Sequence, residues 1–245
     1  MFNFFRKKES KDTPDYSSIV VDMHSHVLPG IDDGAQNTEE SIVLIKKMMS
    51  MGIGKIIATP HVMADFYRNT PETINSALEL LKAELKNQNI DIPIEAAAEH
   101  YFDETFEKRV NEGPLMIIGD NYVLFELSFI SQPPNLLTVI QRMKELGYEP
   151  ILAHPERYLY MDIEQLKGLR DWGCNLQLNT ISLTGYYGKD SKKMAEALTD
   201  NQLVDFISSD MHHPKHAEAL RAALRTPYLQ KLLAADYPLK NIMLK

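Results

Sequence analysis

Short β-rich runs alternate with helical patterns along almost the whole chain, and that alternation restricts it to folds built on a parallel sheet with right-handed crossovers. The apolar and β-branched runs fall at residues 19–26, 55–59, 92–98, 122–125, 149–153, 174–179 and 204–208. Between them lie amphipathic stretches. Thr38 reads as an N-cap, followed by an apolar stripe of Ile42, Ile45, Met48 and Met49 that Gly52 stops. Pro71 opens a helix with Ile74, Ala77, Leu78, Leu81 and Leu85 on one face. Further helices are expected near 104–110, 134–146, 163–172 and 191–198, and onward to about residue 234. An incomplete (β/α) barrel is the first choice of α/β fold and an open doubly wound sheet the second. No Gly-x-Gly-x-x-Gly or phosphate-loop pattern follows the first strand, which counts against nucleotide binding.

A chain of 245 residues is long enough for one large core. Residues 1–17 read as a flexible polar tail and 18–245 as a single domain. A formal net charge of -8, with no basic stripe, disfavours nucleic-acid binding. No apolar run has the length of a membrane span, and the charges after Phe5 stand in the wrong order for a secretory signal. The single cysteine, Cys174, excludes an internal disulfide and fits a cytoplasmic location.

The residues that carry chemistry sit just past the strands. His24 and His26 close the first, two apart on one strand face, and Asp33 follows in a loop marked as sharply turning by Pro29, Gly30 and Gly34. His61 follows the second strand, Glu99 the third, Glu126 the fourth, His154 the fifth, and Asp210 and His212 the seventh. Parallel α/β enzymes build their sites at this carboxyl end. Five of the eight histidines and four carboxylates gathered there point to divalent-metal binding, for which imidazole and carboxylate suit Mn, Fe, Zn or Co. The other histidines, His100, His213 and His216, read as surface groups or neighbours of ligands. Divalent ions held by the five histidines and four carboxylates, with the charge of Arg157 added, would make a net positive site, and such a site favours a phosphomonoester dianion over a neutral amide.

These same segments carry a resemblance. Asp22-Met23-His24-Ser25-His26 with Asp32-Asp33-Gly34, Ala58-Thr59-Pro60-His61, Ala98-Glu99-His100-Tyr101, Phe125-Glu126-Leu127-Ser128, Ala153-His154-Pro155-Glu156-Arg157-Tyr158 and Ser208-Ser209-Asp210-Met211-His212 are similar to blocks of the PHP (polymerase and histidinol phosphatase) family. Within it they look most like the bacterial capsule- and exopolysaccharide-associated protein-tyrosine phosphatases. The resemblance implies a distorted seven-stranded TIM-like barrel of PHP type holding three metal ions, manganese first among the candidates. It implies that His24, His26 and Asp210 hold the first ion, with Glu99 bridging to a second completed by Glu126 and His154. Asp33, His61 and His212 would hold the third. Arg157 would bind substrate phosphate beside Glu99 and Asp210 at the reacting centre. The implied partner is a phosphotyrosine protein, the tyrosine-rich tail of a bacterial kinase that controls polysaccharide synthesis and export.

Other readings remain beside it. A small-molecule phosphatase, such as one acting on histidinol phosphate, would use the same centre. Many amidohydrolases need a carbamylated lysine after strand four, where this chain has Glu126. A binding module without turnover would not need the full ligand set with Arg157. A thiol mechanism is excluded, because the position six residues after Cys174 is Thr180 rather than arginine; Cys174 reads as a core thiol.

Overall fold

The computed structural model describes residues 14–245. Its strands and helices alternate as the sequence pattern requires: β1 (Val21–Asp22), α1 (Thr38–Met49), β2 (Lys55–Ala58), β3 (His61–Val62), α2 (Pro71–Asn87), β4 (Ile94–Ala96), β5 (Glu99–Tyr101), α3 (Glu104–Glu112), β6 (Tyr122–Glu126) and α4 (Leu136–Glu145). There follow β7 (Glu149–Ala153), α5 (Ile163–Asp171), β8 (Asn175–Asn179), α6 (Lys189–Asp200), β9 (Phe206–Ser208), α7 (Pro214–Ala223) and α8 (Pro227–Leu232).

The strands form two parallel sheets, one ordered β1-β2-β4 and the other β3-β5-β6-β7-β8-β9. The chain segments 55–62 and 94–101 each give a strand to both sheets. The sequence pattern predicts strands only at 55–59 and 92–98, with His61 and Glu99 just past them; the structure instead places these two residues at the start of further short strands, β3 and β5. Pro60 explains the break before β3, since it has no N–H to add to a ladder. Pairing nevertheless runs across the gap, with Ala97 N–H donating to Ala58 O at 2.8 Å and Glu99 N–H to Pro60 O at 3.1 Å. Past the end of β1, Asp210 N–H donates to His24 O and His26 N–H to Met211 O, both at 2.9 Å, so the first and last strand segments meet at their carboxyl ends. Below this, the buried carboxylate of Asp22 accepts from Ser208 Oγ and from Ser209 N–H.

Apolar side chains divide into two clusters. The larger fills the space between strands and helices; it includes Ile45 and Met48 of α1, Leu81 of α2 and Ile140 of α4. The smaller draws Val21, Met23, Ile57, Ala97, Leu124, Ile151 and Phe206 from successive strand segments. Residues of β8 are absent from this smaller cluster. Its Leu176 and Leu178 pack outward, while Asn175, Gln177 and Asn179 are buried polar groups on the alternate positions.

Local signals set most helix ends. Thr70 caps α2 in a reciprocal capping box with Thr73, and Asp162 does the same for α5 with Gln165. At α1 the cap is Asn37 rather than Thr38, its side chain accepting from Glu40 N–H at 2.9 Å. Residues 1–13 of the expected tail lie outside the described residues, but Tyr16, also assigned to that tail, is 1 % exposed. Its hydroxyl donates to Leu220 O at 2.8 Å, so packing begins before residue 18. Among the described residues no helix is long and apolar enough to cross a membrane.

Candidate metal centre

The loops after β1, β7 and β9, the first residues of β3 (His61) and β5 (Glu99) and the last residue of β6 (Glu126) deliver their polar side chains to one place. Two of them do so through left-handed backbone: His154, directly after β7, has φ of 33°, and Asp210, after β9, has φ of 48°. Such conformations cost a non-glycine residue roughly 1–3 kcal/mol and persist where the surroundings hold them. Here the His154 N–H reaches Gln177 Oε1 at 3.4 Å, and the Asp210 N–H is held by His24 O. After β1 the chain doubles back so closely that a Cβ on Gly34 would stand 2.0 Å from His26 O. Only glycine admits this approach, and it lets Asp32 lie against the imidazole of His26.

All nine residues expected as ligands converge. His24 Nε2 and His26 Nε2 lie 3.2 and 3.3 Å from Glu99 Oε2, and each is 3.4 Å from Asp210 Oδ1. His61 Nδ1 is 3.1 Å from both Glu99 Oε2 and Glu126 Oε1. His154 Nε2 is 3.0 Å from Glu99 Oε1. Asp33 Oδ1 stands 3.4 Å from His61 Nε2 and from His212 Nε2. Three overlapping groups are compact enough to surround an ion: His26, Asp33, His61 and His212; His24, His26 and Glu99; and His61, Glu99 and Glu126. His26 and His61 therefore each serve two groups, where the resemblance implied a cleaner division. Glu99 touches histidines from every part of the cluster.

The donor set fits a cation. Four buried atoms of the nine candidate ligands have no hydrogen-bond partner: His61 Nδ1, Glu99 Oε2, His154 Nδ1 and Asp210 Oδ1. Unpaired buried polar atoms are costly, and lone pairs converging at 3.0–3.4 Å must be bridged by protons or metal ions. Burial opposes charge on His24, but the Glu99 and Asp210 carboxylates outweigh it and raise its pKa. His26 and His61 are likewise raised against their burial, by Asp32 and Glu99 respectively. Glu99 and Asp210 are held well below the carboxylate range despite burial, chiefly by His24 with His61 and His212. Positive charge is what the cluster demands.

Partners behind the cluster fix the rings. His24 Nδ1 meets Gln177 Oε1 at 2.9 Å, His26 Nδ1 meets Asp32 Oδ2 at 2.7 Å, and His212 Nδ1 meets the Asp210 carbonyl at 2.9 Å. When Nδ1–H donates outward, Nε2 presents its lone pair to the centre. Asn179 Nδ2 donates to Asp210 Oδ2 at 2.8 Å. Neither Gln177 nor Asn179 was among the expected site residues; their only sequence signal is the polar alternation Asn-Leu-Gln-Leu-Asn in a strand of a buried parallel sheet.

Arg157 lines a cavity of about 580 Å³ together with Asp33, His61, Glu99, Glu126, His154, Asp210 and His212. Its guanidinium lies between two rings, 4.4 Å from the centroid of Phe129 and 4.3 Å from that of Tyr187. Its Nη1 lies 3.4 Å from Asp210 Oδ2, so it pairs with neither Glu156 nor Asp162. Glu156 is buried and accepts instead from Ser182 Oγ at 2.6 Å. His100 corrects another expectation. It lies in the core, its Nε2 3.3 Å from Met116 O, and burial pushes its pKa down to about 4, so it is neutral. His216 is also buried, with Nδ1 accepting from His212 N–H at 3.3 Å, and only His213 of the three reaches toward solvent. Cys174 is a buried thiol whose pKa burial raises, as expected of a core residue.

The chain's similarity to known proteins covers this whole arrangement. Residues 20–242 match the family described as capsular polysaccharide synthesis, CpsB/CapC. The tyrosine-protein phosphatase YwqE of Bacillus subtilis (strain 168) is 30% identical over 199 residues, covering 80% of this chain and 78% of that protein. The putative tyrosine-protein phosphatase CapC of Staphylococcus aureus is 29% identical over 224 residues, with coverage of 90% and 84%. The tyrosine-protein phosphatase CpsB of Streptococcus pneumoniae is 27% identical over 233 residues, with coverage of 91% and 93%. A solved structure from work on B. subtilis YwqE and S. pneumoniae CpsB, described as unique metal-dependent tyrosine phosphatases, matches with a TM-score of 0.80. That match is at 28% identity and covers 89% of each chain. The chain belongs to the CpsB/CapC family of capsular polysaccharide synthesis.

Proposed function

We propose that this chain is a metal-dependent protein-tyrosine phosphatase whose centre holds three divalent ions, manganese first among the candidates. The observation that carries the reading is the convergence of five histidines and four carboxylates with unpartnered buried atoms, beside an arginine that faces the same cavity. The activity printed for the relatives supports the choice of phosphotyrosine. His24, His26 and Asp210 would hold one ion, Glu126 and His154 a second with Glu99 between them, and Asp33, His61 and His212 a third. Bound divalent ions supply Lewis acidity toward phosphoryl oxygens and lower the pKa of water to near neutrality.

The chain's own contribution is charge and alignment. Phe129 and Tyr187 cover the faces of the Arg157 guanidinium, so its N–H edges are what it offers to the phosphate. A planar fork can engage two phosphoryl oxygens at once and holds the group in line for displacement. Asn179 and Arg157 both donate to Asp210 Oδ2, leaving Oδ1 directed at His24 and His26. Burial of the cluster keeps these interactions strong by excluding bulk water.

The two sheets would constitute one distorted seven-stranded barrel, a reading supported by the hydrogen bonds between residues 24–26 and 210–211 and by the smaller apolar cluster. The substrate would be the phosphorylated tail of a cytoplasmic tyrosine kinase serving polysaccharide export. The test is phosphate release from a phosphotyrosyl peptide, measured on protein as purified, after chelation and after manganese is restored. Activity should vanish and return, whereas Glu99→Ala should bind fewer ions and stay inactive. Undiminished turnover in the chelated protein, with metal content verified as nil, would overturn the reading.

A further inference from the structure

The cavity does not end at Arg157. It opens between two loops that each present a large apolar side chain to solvent: Phe66, 78 % exposed, and Ile130, 89 % exposed. Neither loop is slack. Phe66 sits at the tip of a turn closed by Met63 N–H to Tyr67 O at 2.9 Å and Tyr67 N–H to Met63 O at 3.1 Å. That turn is tied down by Ala64 N–H to Asp103 Oδ2 at 3.1 Å, and by Asn69 Nδ2 donating to His61 O at 2.9 Å. On the other side, the Ile130 N–H reaches Ser128 Oγ at 3.2 Å, and the Ser128 carbonyl accepts from Tyr160 Oη–H at 2.7 Å. The neighbouring Phe129 stacks on Tyr158 with ring centroids 5.6 Å apart. Both apolar side chains are therefore held out at the rim by fixed backbone, and each could gain by being covered.

The shape of the cavity says what would cover them. Its floor, with Glu99 fully buried and His154 1 % exposed, lies inside the protein, while its rim is at the surface. A free phosphate needs only the floor. A ligand that engages floor and rim together must carry its phosphate on a long rigid side chain and have further side chains near the attachment point. We infer that Phe66 and Ile130 form a docking surface for the residues that flank a phosphotyrosine in an extended protein segment, and that they favour apolar or aromatic neighbours over charged ones. This rests on the phosphatase reading and adds to it the part of the substrate recognised outside the reacting group.

The test uses the metal-loaded protein and three substrates: p-nitrophenyl phosphate, a phosphotyrosyl peptide with apolar residues on both sides, and the same peptide with glutamates there. In the wild type kcat/KM should be higher for the apolar-flanked peptide than for the glutamate-flanked one. In Phe66→Ser and in Ile130→Ser, the ratio of kcat/KM on the apolar-flanked peptide to that on p-nitrophenyl phosphate should fall about tenfold, as expected for loss of partial burial of a large apolar side chain. The loss should appear mainly in KM, since a contact remote from phosphorus acts equally on ground and transition states. Both substitutions lie at exposed positions, and unchanged melting temperatures would exclude misfolding. An unchanged ratio in both variants, or a wild-type preference for glutamate neighbours, would overturn the inference while leaving phosphatase activity intact. A change of oligomeric state in Phe66→Ser would mean that a second copy of the chain covers the rim, and would also overturn it. Absence of turnover on all three substrates would instead overturn the phosphatase reading, and the docking surface with it.

Discussion

Replacing Arg157 by lysine keeps the positive charge beside the centre but removes the planar fork. The arginine is 22 % exposed, and its faces are covered by Phe129 and Tyr187 at 4.4 and 4.3 Å. A lysine ammonium on a flexible stem is not positioned by stacking in this way and offers a point charge in place of two parallel N–H groups. One charge-assisted hydrogen bond is worth about 2 kcal/mol, so losing one of a bidentate pair should cost roughly 30-fold in kcat/KM. Arg157→Ala loses both, about 4 kcal/mol or roughly a thousandfold. The assay is steady-state hydrolysis of a phosphotyrosyl peptide at saturating manganese, with metal content measured in parallel. Metal content should not change, because Asn179 still donates to Asp210 Oδ2 at 2.8 Å and Oδ1 keeps its direction. A fall in kcat would mean that the contact strengthens in the transition state, and a rise in KM alone that it serves the ground state equally. Wild-type kcat and KM in Arg157→Ala would refute the assignment and leave the arginine as a partner of Asp210 only.

Gln177→Leu should weaken metal binding by about 10- to 100-fold, because His24 Nδ1 loses the acceptor that orients it; metal titration would show this, and unchanged affinity would refute the orienting role. Metal uptake should release protons: His24, His26 and His61 have raised pKa values in the metal-free protein, so they hold protons that an ion must displace, and affinity should rise with pH. Calorimetric titrations in buffers of different ionisation enthalpy measure that release, and identical heats near neutral pH would count against protonated ligands.

The alternation of strand and helix was legible because its signals are local. Period-two runs, the stripe through Ile74, Leu78, Leu81 and Leu85, and the Thr70–Pro71 helix start each involve residues within a turn or two of one another. The nine candidate ligands were legible for a related reason. Parallel strands place their carboxyl ends together, so a polar residue just past each strand is expected at one face of the sheet whatever the exact register. Local signals blur at boundaries, which is why Asn37 rather than Thr38 caps α1 and why strand pairing resumes at His61 and Glu99, past the ends the sequence pattern predicts.

Tertiary structure alone decided which groups stand behind and beside the ligands. Gln177 is far from His24 in sequence, and its contact depends on β8 facing inward opposite the end of β1. The alternation in Asn175-Leu176-Gln177-Leu178-Asn179 reads equally well as a half-exposed strand, because period two says which residues share a face and not whether that face is wet. The partner of Arg157 was open for the same reason: Glu156 and Asp162 are its near neighbours in the chain, yet Asp210, Phe129 and Tyr187 surround it. His100 adjoins a ligand in sequence and turns into the core, since successive residues of a strand point to opposite faces. Sequence thus determined the alternation of elements and the chemical types brought to the carboxyl ends of the strands. The pairing of Asp32, Gln177 and Asn179 with particular ligand atoms depends on packing between distant segments, for which short-range patterns carry no signal.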